Sequence, residues 1–324
     1  TLAFLASPAV DPAQNKGGVY VVDVSVSTVP VVLANVYGGF ENTGVAVAGS
    51  LAVATGGSFG LKVVDVFDPA APTTVGFLGG SMTGVAMAGQ YAYALLGVAG
   101  NPGHTDLLVV DLLVPATPRI VGRLTVAGGA GVKVAGSFVY VAGAGPGLEI
   151  VNVSNPAAPA MVTTLDTPGS AKGVAVANDY AYVADNTSIQ VINVAIPGSP
   201  VIVGSLLMTA ATAVAVAGNR LYVLDATLFK IIDVTNPAAP ALLSATTNYG
   251  AQGLDVRSNR VFLATPALTH SDPAGGVYVL DVSNPSQPAL LDQITVPGTT
   301  RTVVATSTFV YAGDSAGIVD VIRI

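Results

Sequence analysis

The residues of this chain best suited to chemistry are a few histidines and aspartates in three enlarged loops. Histidine titrates near neutral pH and binds metals, and carboxylates act as acids, bases or calcium ligands. Only two histidines occur in the 324 residues, and each has an aspartate two positions later. We therefore predict that a ligand site of this chain would use these residues, in segments 7–18, 97–106 and 266–276: Asp11, His104, Asp106, His270 and Asp272.

Several chemistries stay open for these side chains. Ca²⁺ needs six to eight oxygen ligands, which Asp11, Asp272 and loop carbonyls could supply in part, although no D-x-D-x-D-G loop occurs. A serine hydrolase would use His104 or His270, but the chain has no nucleophile-elbow sequence. Paired carboxylates for glycoside cleavage are disfavoured because the chain has only two glutamates. We expect no bound cofactor, with Ca²⁺ as the possible exception.

Composition excludes some classes of partner. The net charge of -7 and the scattered distribution of the 12 Lys and Arg argue against nucleic acid. Hydrophobic residues reach 51%, yet Gly and Pro interrupt every apolar run, so we expect no membrane-spanning helix. There is no cysteine, which excludes disulfides and thiolate metal sites. Asn186 starts a glycosylation sequon in a predicted turn and is a possible modification site.

A repeat positions these residues. Seven Asp or Asn residues each have a proline seven positions later, and we call them the anchors: Asp23, Asp65, Asp111, Asn152, Asn193, Asp233 and Asp281. Asp320 is an eighth anchor whose proline would fall beyond Ile324. The anchors lie 39 to 48 residues apart, and a period of this size is typical of solenoids, propellers and arrays. We expect the anchor side chain to bond the backbone of the following turn.

Each repeat reads as four short strands, which we name a to d. In one repeat they are 173–177, 180–184, 189–194 and 201–206, joined by tight turns. Four-stranded antiparallel sheets at this period are the blades of a β-propeller. Strand b carries an aromatic residue at a fixed place, as at Tyr93 and Tyr182, and we expect it to pack between blades. The proline that opens strand d suits an outer edge strand.

The segments that end at the anchors resemble a known family. Leu107-Leu-Val-Val-Asp111, Leu61-Lys-Val-Val-Asp65 and Tyr20-Val-Val-Asp23 are similar to the LVIVD repeat of bacterial and archaeal surface proteins. The resemblance covers essentially the whole chain. It implies a propeller scaffold and an extracellular or cell-surface location, and it implies no particular activity.

We predict a single all-β propeller domain over residues 1–324, with eight blades. Strands b and c occur eight times but a and d only seven, so the first blade lacks strand a and the last lacks strand d. The alternative is seven blades, in which strand 31–34 completes the C-terminal strands and residues 1–25 form an extra hairpin. Missing strands could also come from neighbouring chains, which would build a filament.

The favoured function is a non-enzymatic extracellular scaffold that binds proteins or itself. The repeats are near-uniform and titratable groups are few. The alternative is a carbohydrate-binding or hydrolytic propeller that uses the three long b–c loops, because loops on a rigid scaffold often carry function.

Overall fold

The computed structural model of the chain describes residues 42–56, 60–68, 71–98, 103–266, 275–294 and 300–306 in full. For residues 2–7, 18–23, 31–34, 295–296, 309–314 and 319–323 it describes the strand backbone. No helix occurs in this part of the chain, so none is present there that could cross a membrane. The all-β expectation is confirmed.

Short strands follow one another at the spacing that the repeat predicts. The first three are β1 (Leu2–Ser7), β2 (Gly18–Asp23) and β3 (Val31–Ala34). The next repeat holds β4 (Asn42–Ala48), β5 (Leu51–Gly56), β6 (Gly60–Asp65) and β7 (Thr73–Leu78). Then come β8 (Met82–Ala88), β9 (Tyr91–Gly97), β10 (Thr105–Asp111) and β11 (Arg119–Val126).

The same order continues to the end of the chain. The fourth repeat holds β12 (Gly129–Ala135), β13 (Phe138–Gly143), β14 (Gly147–Asn152) and β15 (Ala160–Leu165). After it come β16 (Gly173–Ala177), β17 (Tyr180–Ala184), β18 (Asn186–Asn193), β19 (Val201–Ala217), β20 (Arg220–Asp225), β21 (Leu228–Asp233) and β22 (Ala241–Thr247). The last strands are β23 (Gly253–Arg257), β24 (Arg260–Thr265), β25 (Gly275–Asp281), β26 (Ala289–Val296), β27 (Thr300–Ala305), β28 (Phe309–Asp314) and β29 (Val319–Arg323).

The strands form antiparallel sheets within two compact units. Unit 1 comprises residues 1–82, 114–118 and 248–324, and unit 2 comprises residues 83–113 and 119–247. Four sheets have four strands each: β4–β7, β8–β11, β12–β15 and β23–β26. In each of these, strand d lies at the sheet edge, directly after its proline, as expected. The single-domain prediction stays a prediction.

Strands β16–β22 form one seven-stranded sheet, because β19 serves two repeats. Its first half pairs with β18 and its second half with β20. Strand d of one repeat and strand a of the next are therefore joined here without a loop. The segment Leu206–Leu-Met-Thr-Ala-Ala211 has neither Gly nor Pro, so nothing in it interrupts an extended backbone.

Both ends of the chain share a six-stranded sheet in unit 1, in the order β27-β28-β29-β1-β2-β3. Phe4 and Leu5 of β1 pair with Val321 and Asp320 of β29. In this sheet the first two strands of the chain, β1 and β2, lie between β29 and β3. This order differs from both closures expected from sequence. The blade count stays a prediction.

Every c–d pair contains the same irregularity. The register shifts between the residues two and one positions before the anchor, as at Val109/Val110 and Ile150/Val151. One residue of strand d, such as Val121 or Val162, therefore has no partner, which is a β-bulge. A bulge bends and twists an edge strand and so discourages pairing with another sheet.

The aromatic residues of strand b pack between successive repeats of unit 2, as predicted. Each shares a buried cluster with valines of the following repeat: Tyr93 with Val139 and Val141, Tyr140 with Val174 and Val183, and Tyr182 with Val214 and Val223. The core of unit 2 therefore runs continuously from repeat to repeat.

Candidate functional site

A cavity of about 450 Å³ opens in unit 2 beside His104. Its walls come from Thr83 of β8 and from the connections β9–β10, β11–β12 and β13–β14 with their adjoining strand ends: Gly97, Val98, Gly103, His104, Thr105, Ala127, Gly128, Gly129, Ala144, Gly145 and Pro146. The long b–c loop thus contributes to a cavity, and His104 is the exposed titratable side chain on its wall. Glycine is the most frequent lining residue, and at Gly129 the space is taken by the Leu95 side chain, 2.9 Å from where a Cβ would lie.

Asp106 is only 2% exposed and is held within its own sheet. The Nε of Arg123 donates to its Oδ2 at 2.7 Å, and the Thr125 hydroxyl donates to its Oδ1 at 2.7 Å. Burial opposes ionisation of Asp106, but these hydrogen bonds and the Arg123 charge outweigh it and lower its pKa. Both carboxylate oxygens are therefore engaged by β11, on the strand next to Asp106.

The other predicted site residues lie elsewhere. Asp11, His270 and Asp272 fall outside the described residues, so their grouping and the Ca²⁺ prediction stay predictions. Within the described part of the chain, no three His, Asp or Glu residues are placed to hold a metal ion. Asn186 begins β18 with φ of 54°. The hydroxyl of its sequon residue Ser188 is buried and accepts from Gln190 at 2.8 Å.

Glu149 of β14 lies next to the cavity and was not among the predicted site residues. Its carboxylate accepts the backbone N–H of Ala127, a wall residue, at 3.0 and 3.2 Å. Burial raises the pKa of Glu149, and the Ala127 N–H and the nearby His104 pull it back in part. The Glu149 carboxylate therefore fixes the β11–β12 loop at the edge of the cavity.

Asp185 performs the same task one repeat later. It accepts the Gly169 N–H at 2.7 Å and the Thr167 hydroxyl at 2.8 Å, both in the segment that joins β15 to β16. The approach is close enough that a Cβ on Gly169 would overlap the Asp185 carbonyl oxygen. Asp185 is fully buried.

Asp225 repeats the arrangement in the next repeat. Its Oδ1 accepts the N–H groups of Thr209 and Ala210 at 2.8 and 2.6 Å, and its Oδ2 forms an ion pair with Lys230. Burial opposes the charge of Asp225, but the hydrogen bond and charge of Lys230, together with the two N–H groups, lower its pKa.

These three acids form what we call the crossover clamps: Glu149, Asp185 and Asp225. Each belongs to one repeat and binds the backbone that enters that repeat from the previous one. The recurrence of Asp185 and Asp225 three residues after the strand-b aromatics Tyr182 and Tyr222 is the sequence signal that identifies them. Each carboxylate accepts at least one backbone N–H from this entering segment, and such bonds fix the segment against the strands of the repeat.

The opposite ends of the strands carry the anchors. In six repeats the anchor oxygen accepts the N–H two residues later at 2.7 to 3.0 Å, as predicted: Asp65, Asp111, Asn152, Asn193, Asp233 and Asp281. The N–H after each of these anchors also donates to the a–b turn of the same repeat, for example Val153 to Ser137 at 2.9 Å. We call this end of each sheet the turn end.

Apolar side chains are exposed at the turn end of some repeats. Phe67 is 83% exposed in unit 1, and Leu113 and Ile196 are each 68% exposed in unit 2. Phe67 and Leu113 stand two residues after their anchors, where other repeats have Ser154, Thr235 and Ser283. The same backbone turn forms with either type of residue, so folding does not require the apolar ones.

The repeats of this chain match one known family. The model of the LVIVD repeat matches residues 128–167, 168–208, 210–247 and 271–296. No match to this sequence is found among curated proteins.

Solved propellers share the fold at low sequence identity. The WD40 β-propeller domain of Doa1 is 12% identical, with a TM-score of 0.69 over 88% of this chain and 94% of that one. The WD40 repeats of RRP9 are 12% identical, with a TM-score of 0.68 over the same shares. BamB from Moraxella catarrhalis is 15% identical, with a TM-score of 0.57 over 98% of this chain and 93% of that one. The chain is therefore a β-propeller protein that contains LVIVD repeats.

Proposed function

We propose that this propeller is a non-enzymatic interaction scaffold that works outside the cell or at the cell surface and binds a protein partner through its turn end. The exposure of Phe67, Leu113 and Ile196 carries the proposal. Turns that face water normally bear polar residues, so large apolar side chains exposed in the turns of three separate repeats need another explanation, which partner binding supplies. A few large, well-packed side chains contribute much of the binding energy of protein interfaces.

The crossover clamps support the non-enzymatic part of the proposal. A general acid or base must reach a substrate proton, and a nucleophile must be accessible. Glu149, Asp185 and Asp225 are all at most 4% exposed, and each accepts a backbone N–H from the segment that enters its repeat. These acids therefore serve the scaffold.

The test is photo-crosslinking in cells that carry the chain on their surface. A crosslinking residue is placed at Leu113 or Ile196, and matched controls carry it at Ser154 or Thr235. The proposal predicts a discrete crosslinked protein from the first two positions and little from the controls. Equal labelling from all four positions would count against a specific turn-end interface. Protease treatment of intact cells should remove the chain, and full protection would contradict the surface location.

A carbohydrate-binding or hydrolytic function is the second candidate, and the cavity beside His104 favours it. Its volume of about 450 Å³ lies in the range of small-molecule sites. The test is a glycan panel with and without Ca²⁺, read by thermal shift, on the wild type and on His104→Ala. A shift that the variant loses would support this candidate, and no shift with any glycan would dismiss it.

A further inference from the structure

The a–b hairpin of one repeat departs from all the others in its charge. Four residues make this hairpin in unit 1: Arg257, Ser258, Asn259 and Arg260. The position of Arg257 is alanine in every other repeat with a described strand a: Ala48, Ala88, Ala135, Ala177, Ala217 and Ala305. Because alanine serves the fold six times, the arginine needs a different explanation.

The pairing register makes this arginine unfavourable for the hairpin itself. Arg257 and Arg260 are direct cross-strand partners, and like charges in that position repel. Arg260 also pairs with the anchor Asp281 on its other side, and its charge helps to lower the pKa of Asp281, after the larger effect of the hydrogen bonds from Ser283. Within the described part of the chain, Arg257 forms no ion pair. It is exposed.

A pocket of about 470 Å³ lies at this hairpin. It is lined by Arg257, Ser258, Asn259, Arg260, Asp281, Ser283 and Leu291. Two guanidinium groups and one carboxylate leave a formal charge of +1, although the whole chain carries -7. Leu291, which is 49% exposed, adds an apolar wall beside the charge.

The preceding repeat supplies a natural comparison in unit 2. A pocket of about 450 Å³ there is lined by Ala217, Gly218, Asn219, Arg220, Asp233 and Thr235. Arg220 pairs with Asp233 as Arg260 pairs with Asp281, but the position of Arg257 is Ala217. The formal charge is therefore zero. The two pockets differ chiefly by one guanidinium group and one leucine.

The hairpin is fixed before any ligand arrives. The carbonyl of Asn259 accepts the N–H of Val282 at 2.8 Å, and Asp281 accepts the N–H of Ser283 at 2.8 Å. The first bond holds the a–b turn against the end of β25, and the second fixes the Asp281 side chain that faces Arg260. A rigid frame reduces the entropy lost when a ligand binds.

We infer that this pocket binds an acidic side chain of a protein partner, with the carboxylate between Arg257 and Arg260 and a neighbouring apolar side chain against Leu291. Guanidinium groups suit carboxylates because their N–H donors match the two oxygens. A bound carboxylate also removes the repulsion between the two arginines. The inference rests on the proposed function only in taking the partner to be a protein.

The test follows the arginine side-chain Nε–Hε signals by NMR in the full chain at low salt. The probe is acetyl-Leu-Glu-Leu-amide, and acetyl-Leu-Gln-Leu-amide is its neutral control. We expect the Glu peptide to shift the Arg257 and Arg260 signals and the Gln peptide to bind at least about fivefold more weakly. Arg257→Ala, which restores the residue of the other repeats, should weaken binding of the Glu peptide by a similar factor. Arg220→Ala is the matched control and should bind like the wild type.

Several results would overturn the inference: no shift with the Glu peptide, equal binding of the Gln peptide, or unchanged affinity in Arg257→Ala. Sodium sulfate is a separate arm, and shifts as large as those of the peptide at equal concentration would show a general anion site and also overturn it. If the peptide fails while crosslinks from Leu113 and Ile196 persist, only this inference falls and the proposed function stands.

Discussion

At the scale of single residues, the chemical character of the carboxylates follows from what surrounds them. Asp225 faces backbone N–H groups and Lys230, which favour its charged form, whereas burial dominates at Glu149 and favours the neutral form. The anchors accept one N–H each, and Asn does this as well as Asp. The carboxylates of this fold therefore differ in how much their negative charge stabilises the folded state.

Asp225→Asn should lower the free energy of unfolding by about 3–5 kcal/mol. The change leaves the ammonium of Lys230, whose side chain is 13% exposed, without its counter-charge in a buried place. Urea unfolding at pH 7 measures this loss of unfolding free energy. The matched control is Asp233→Asn, which should cost below about 1 kcal/mol because Asn occupies the same place at Asn152 and Asn193. Equal losses in both variants would refute the special role of Asp225.

The stability of Glu149→Gln relative to the wild type should be more favourable at neutral pH than at acidic pH. The folded pKa of Glu149 is raised, so between its unfolded value near 4.3 and the folded value the native state binds more protons, and stability falls as pH rises. Glutamine removes this loss and keeps an oxygen for the Ala127 N–H. The urea midpoint of the variant relative to wild type should therefore be higher at pH 7 than at pH 4.

The Asp225→Asn variant is the internal control for the direction of this pH dependence. The folded pKa of Asp225 is lowered, so its stabilisation is present above about pH 4 and is lost as pH falls through the folded value. The loss of unfolding free energy caused by Asp225→Asn should therefore be larger at pH 7 than at acidic pH. If Glu149→Gln and Asp225→Asn shift in the same direction with pH, the assignment of their environments is wrong.

At the scale of elements, glycine in strand d decides how closely successive repeats of unit 2 pack. A Cβ on Gly122 would overlap the carbonyl oxygen of Pro156 in the next c–d turn, and one on Gly204 would overlap that of Pro237. The glycine and the following turn therefore interlock just beyond the bulge. The proline-containing turn thus serves both to start strand d and to contact its neighbour.

Gly122→Ala should destabilise the chain by about 1–3 kcal/mol, because the added methyl group forces backbone apart in a packed contact. Gly145→Ala is the control, since its Cβ would meet nothing within 4 Å, and it should change stability by less than about 0.5 kcal/mol. Thermal unfolding followed by circular dichroism compares the two. A control as unstable as Gly122→Ala would show that the interlock is not the cause.

Sequence patterns predict the strands better than the contacts between repeats. The turns Asn178-Asp179 and the anchors locate strands to within a residue or two, because turn chemistry is local. The continuous β19 was missed because alanine and threonine permit an extended crossover without requiring one. The crossover clamps were missed because their donors lie in the preceding repeat, 15 to 22 residues away in sequence. Of the two predicted ligand-site residues that the structure describes, His104 lies on the cavity wall and Asp106 is not among the residues that line it.

At the scale of the whole molecule, the two chain ends are expected to be held together. The described backbone pairs β1 with β29, so the strand that lacked a partner in the sequence pattern finds one within the same chain. The filament hypothesis relied on an open edge at that place, and it stays a prediction without structural support. One sheet that contains both ends links the first repeat to the last.

A pair of engineered cysteines tests this pairing cleanly because the chain has none of its own. Leu5→Cys with Asp320→Cys should form a disulfide on mild oxidation, since the two residues are direct partners. Closing so long a loop should raise the free energy of unfolding by up to about 5 kcal/mol. The control pair, Leu5→Cys with Phe309→Cys, lies two strands apart and should stay reduced. Non-reducing gels and urea unfolding give the answer.

The central claim is that the buried acids serve the scaffold and that the turn end serves the partner. The most direct measurement is the amount of partner that co-purifies with the chain from the cell surface, compared for two variants that fold like the wild type and carry no crosslinking residue. Phe67→Ser/Leu113→Ser/Ile196→Ser should abolish the complex, and His104→Ala should leave it unchanged. A complex that survives the three serine substitutions but disappears with His104→Ala would contradict the account.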